Sequence, residues 1–198
     1  MKITMKTPLA IVLGAMPLAA CISFGAKPPP SLLTLTPAER VPVGQIVTSA
    51  GARAITIAVP VTPASLATAR VPVQATPTSI AYVKEAVWAE PPARLFARLL
   101  SDTVQARTGR VVLSSVQAVD SPNGELAGEL RQFGIDAATR EAVVTFDASL
   151  RRDGTQTLEK RRFEARAPVA AIDAVSAGPA LNTAANQVAA EVADWVGR

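Results

Sequence analysis

EAVVTFDASLRRDGTQTLEKRRFEARA, residues 141–167, decides the fold. Glu141–Leu150 alternates strictly: Val144, Phe146, Ala148 and Leu150 face one way, Thr145, Asp147 and Ser149 the other. A period of two is the mark of a half-buried strand. Asp153-Gly154 follows, a pair suited to the positive φ of a tight hairpin turn. Thr155–Ala167 then returns as the partner strand. Upstream, Glu125–Ile135 (ELAGELRQFGI) alternates less regularly, and its two glycines read as markers of a bulge. Residues 125–167 are therefore expected to form an antiparallel three-stranded meander.

Working outward, Val87–Gly109 (VWAEPPARLFARLLSDTVQARTG) reads as a helix opened by Pro91-Pro92, where a missing N–H is harmless. Leu95, Phe96, Leu99, Leu100 and Thr103/Val104 make its apolar stripe, and Arg94, Arg98, Asp102 and Gln105 fall opposite. Gly109 suits the residue after the last turn, and Arg107 suits the negative helix end. Asp173–Trp195 holds a second helix, with Leu181, Ala184/Ala185, Val188, Val192 and Trp195/Val196 inward and Asn182, Asn186, Glu191 and Asp194 largely toward water. Gly178-Pro179 sets a start or kink near its beginning. Strands are expected at Ser31–Thr36, Ala54–Val61, Ala69–Gln74, Thr78–Val83 and Arg110–Val116, and a loop over residues 37–51. This order predicts an α+β fold: an antiparallel or mixed β-sheet with two helices packed on one face.

The amino terminus carries a different signal. Lys2 and Lys6 precede the uncharged run PLAIVLGAMPLAA, residues 8–20, which ends at Cys21. A positive head, a short apolar run and small residues at its exit describe an export signal, and the run is too short to span a bilayer. Leu18-Ala19-Ala20-Cys21 resembles the bacterial lipobox, which implies cleavage before Cys21 and acylation of its thiol and new amine. Several acyl chains make a stable anchor where one would not. Ile22–Pro30 (ISFGAKPPP) reads as an extended, proline-stiffened spacer. The expected organisation is a signal peptide over 1–20, a lipid-anchored tether over 21–30, and one domain over 31–198. Ile22, rather than Asp, after the cysteine favours the outer membrane.

Cys21 is the only cysteine and there is no histidine, so a disulfide, a cysteine or histidine metal site and a Ser-His-Asp triad all lack their residues. No Walker A, GxSxG or GxGxxG sequence occurs. No catalytic residue, cofactor or metal is expected. Removing Lys2 and Lys6 from 20 basic side chains leaves 18 against 16 acidic, a net charge of +2. With so few aromatics and no basic face, nucleic acid is not an expected partner.

Two features could face a partner. Arg151, Arg152, Lys160, Arg161 and Arg162 flank the Asp153-Gly154 turn. They could contact anionic headgroups or an acidic protein, or form a solvated hairpin balanced by Asp153, Glu159 and Glu164. Trp88, just before Pro91-Pro92, is either a core anchor of the helix or a partner-facing aromatic.

The stretch Tyr82, Trp88-Ala89-Glu90-Pro91-Pro92, Leu95-Phe96 and Leu99-Leu100 resembles the ABC-type transport auxiliary lipoprotein family, which accompanies Mce-type lipid transport systems of Gram-negative bacteria. The lipobox, the opened helix, the meander and the last helix follow the family's order; SLLTLT departs from it in lacking an aromatic. The resemblance implies a non-enzymatic periplasmic subunit moving phospholipid or other apolar molecules between two membranes. It implies an Mce-domain protein, a permease and an ATPase as partners, with a homo-oligomer left open. The competing reading is a structural or assembly lipoprotein that partners an outer-membrane β-barrel.

Overall fold

A computed structural model describes residues 31–48, 54–117 and 124–198. Its elements run β1 (Ile55–Ile57), β2 (Arg70–Thr76), β3 (Ser79–Val87), α1 (Pro92–Thr108), β4 (Val112–Ser114), β5 (Glu125–Asp136), β6 (Glu141–Arg151), β7 (Leu158–Pro168) and α2 (Ala174–Val196). This is an α+β fold with one mixed seven-stranded sheet.

The meander forms as its alternation requires. β5, β6 and β7 pair antiparallel over their full lengths, with Leu130, Phe146 and Phe163 aligned across the three. Gly154 takes a φ of 68° in the β6–β7 turn. On its other side β5 is shared by two partners. β1 pairs parallel with its first half and β2 parallel with its second. The bulge in β5 falls between Leu130 and Gln132, at Arg131, and not at a glycine. The glycines serve close approach instead: a Cβ on Gly134 would strike the Pro72 carbonyl, and one on Gly128 the Phe146 ring.

Both helices cover the same sheet face. Phe96 of α1 meets Phe146 edge-on at 5.4 Å, and Trp195 of α2 packs on Phe163 at 5.5 Å. Phe146 and Phe163 are cross-strand partners, so these contacts lie on one side. The predicted stripes of both helices are buried. α1 ends in Gly109 at φ 68°, as a left-handed cap requires. α2 starts earlier than Gly178-Pro179: the Asp173 carboxylate accepts the Ser176 N–H, and Gly178 and Pro179 lie inside the helix. That amide also holds the Asp173 carboxyl below its usual pKa.

Several predicted strands are shorter or absent. β1 and β4 keep only three residues each. β3 runs on to Val87, through an irregularity where Glu85 has a φ of 59°. Ser31–Thr36 is not a sheet strand; it makes one bridge, Leu33 to Trp88. A six-residue segment with apolar alternation does not determine whether its partner is a sheet or a helix, and here it is mainly a helix.

Candidate functional site

Cys21 and the whole 1–30 segment lie outside the described residues. From Leu33 to Glu39 the chain is a strap across the helix layer. The Leu33 N–H donates to the Val87 carbonyl at 2.8 Å, and the Ala89 N–H to the Leu33 carbonyl at 2.9 Å. Leu33 then fills the space above Gly178, where an added Cβ would come within 2.9 Å of its Cδ2. Further along, Asn182 Oδ1 accepts the Thr36 N–H at 2.8 Å. Asn186 works twice: Oδ1 accepts the Ala38 N–H at 2.7 Å and Nδ2 donates to the Thr36 carbonyl at 2.9 Å. Glu39 ends the strap on Arg107, which also holds Asp194 at 2.8 Å. The two carboxylates, Asp194 foremost, raise the Arg107 pKa above its ordinary value. Asn182 and Asn186 were expected to face water; instead, half-buried, they hold the strap, while Asp194 stays exposed and pairs with Arg107. Their signal was two asparagines one helical turn apart in an alanine-rich helix.

Trp88 is a core residue. It is 1% exposed and meets Phe133 edge-on at 5.4 Å. Its backbone N–H donates to the Ala69 carbonyl at 2.7 Å. It thus fixes the start of α1 to the sheet, and a partner could not touch the ring without opening the core. This corrects its reading as a partner-facing aromatic.

The hairpin arginines do not act as one patch. Arg151 pairs with Glu125 at 2.6 Å. Arg152 pairs with Glu159 at 2.7 Å and donates to the Trp195 carbonyl, near the α2 C-terminus where cation charge is favoured. Arg162 clasps Asp147 through two nitrogens, at 2.6 and 2.7 Å. That guanidinium holds the Asp147 carboxyl below the usual carboxylate range, and Arg152 does the same to Glu159. Arg161 lies over the Phe163 ring at 4.8 Å. Asp147 and Glu164 do sit on neighbouring strands, but each is paired with an arginine, Glu164 with Arg166 at 2.9 Å. Most of the five cations are thus engaged in surface ion pairs, each worth little.

Apart from Arg152–Glu159, which sits beside the end of α2, these pairs lie on the sheet face away from the helices. A shallow depression there is lined by Val61, Arg131, Asp147, Ser149, Lys160 and Arg162, among others. Among the described residues no group of three or more Cys, Asp or Glu is placed to hold a metal ion. No described helix is long and apolar enough to cross a membrane. Among the described residues this face offers a polar depression and surface ion pairs.

A family model described as ABC-type transport auxiliary lipoprotein component matches residues 33–193. Two crystal structures share the fold. One, of a protein from Xanthomonas campestris, is 21% identical, with a TM-score of 0.67 over 83% of this chain and 93% of that one. The other, of an uncharacterized protein, is 19% identical, with a TM-score of 0.64 over 73% and 92% of the two chains. No curated protein matches the chain.

Proposed function

The chain belongs to the family of ABC-type transport auxiliary lipoprotein components, and from that premise we propose that it is the lipid-anchored periplasmic subunit of an Mce-linked transport system. Cargo would be phospholipid or another apolar molecule passing between inner and outer membranes. The subunit catalyses nothing itself; an ATPase partner hydrolyses ATP, a permease conducts, and an Mce-domain protein is the direct contact. The family match, extending from residue 33, carries this reading, and the lipobox at Leu18–Cys21 supports it by supplying the anchor. In this scheme residues 1–20 are removed, 21–30 are the tether, 31–198 are the working domain, and Cys21 is held in the outer membrane.

Co-purification tests it. Full-length protein extracted in mild detergent should bring down an Mce-domain protein, and its gene should neighbour those for a permease and an ATPase. Recovery of an outer-membrane β-barrel in its place would transfer the protein to barrel assembly and overturn the proposal.

A further inference from the structure

The sheet has two unlike edges. On one, β3 is broken by the irregularity at Glu85 and its end is covered by Leu33, while β4 is only three residues long. Breaks, covers and short strands are the usual ways of closing an edge. On the other, β7 runs eleven residues and pairs in unbroken register with β6 alone. Among the described residues, no backbone hydrogen bond joins Leu158–Ala167 to anything but β6.

Charge guards this edge selectively. Lys160, Arg161 and Arg162 are consecutive and exposed. Arg162 is occupied by Asp147, but no described carboxylate pairs with Lys160 or Arg161. Self-pairing is opposed about Arg161, where that arginine meets its own copy and Lys160 meets Arg162; about Arg162 or Phe163 the like-charge contacts are offset by Lys160 or Arg162 facing Glu164. Like charges directly opposite are destabilising. A strand carrying carboxylates meets the reverse situation.

We propose that the free edge of β7 is a docking strand for an extended acidic segment of a partner protein. The segment adds an eighth strand, its main chain pairing with β7 and its carboxylates answering Lys160 on one face and Arg161 on the other. The site is independent of which transport system the protein serves.

The test uses the full chain in detergent and a dye-labelled eight-residue peptide with two adjacent glutamates among valine and threonine, which puts one carboxylate on each face of the added strand. Two control peptides accompany it, one with lysine for glutamate and one with alternate amides N-methylated. Binding of the acidic peptide should slow amide exchange over residues 159–167 about tenfold. Charge reversal in K160E/R161E, with circular dichroism unchanged, should weaken binding about tenfold. Equal binding of the N-methylated peptide would reduce the effect to ion pairing and overturn the proposal. So would equal binding of the lysine peptide, or no peptide-dependent protection of β7. Protection that rises with protein concentration alone would assign the edge to a second copy instead.

Discussion

Trp88 and Asp147 show how differently single residues act here. Trp88 is sealed between α1 and β5, so Trp88→Ala removes a large ring from a closed core. The expected loss is about 3–5 kcal/mol, read as a lower denaturant midpoint. Asp147 is partly exposed and acts through charge. Because Arg162 depresses its folded pKa, the pair's stabilisation is complete above the unfolded value of about 3.9 and drains away as pH falls through the folded one. Asp147→Asn should therefore lower Tm at pH 7, and the gap to wild type should narrow as pH falls below the unfolded value, as thermal melts into acid would show. A gap that persisted in acid would mean that packing, not charge, is the role of Asp147. Cys21 is tested more simply: fatty-acid labelling should be lost in Cys21→Ser, and equal labelling of both proteins would end the lipoprotein reading.

At the level of elements, the strap is the part most open to test. Asn186 alone satisfies two of its backbone groups. Asn186→Ala should cost about 1–2 kcal/mol locally, seen as faster amide exchange at Ala38 and earlier proteolysis within residues 31–48, with β5–β7 unchanged. On β5, Gly134→Ala would push its Cβ into Pro72 and should destabilise by about 1–3 kcal/mol, with β2 exchange rising first. These elements also mark what was legible in the sequence. The meander and both helices could be read because each carries its own period, its own turn and its own stop, as Asp153-Gly154 and Gly109 show. The strap could not, because its partner is 146 residues away in the chain, on a helix. The hairpin arginines could be placed near one another, but not divided into paired and unpaired. That division depends on cross-strand register, which set Arg162 opposite Asp147 and left Lys160 opposite Ser149.

As a whole molecule, the protein is a sheet with helices and a strap on one face and an open polar surface on the other. That division separates two parts: the strap crosses the helix layer, whereas the open edge belongs to the meander. The strap follows α2 in the same direction, meeting Gly178, then Asn182, then Asn186, and reaching Asp194 through Arg107. Tension on the chain before Leu33 directed back along the strap would strain all of these contacts together, in shear. A sideways tug would peel them one by one, from Leu33. In either direction the force falls on the end of β3 and on the helix pair before it reaches β1. Such a load is spread over the end of β3 and both helices, and the strap is the molecule's strain relief.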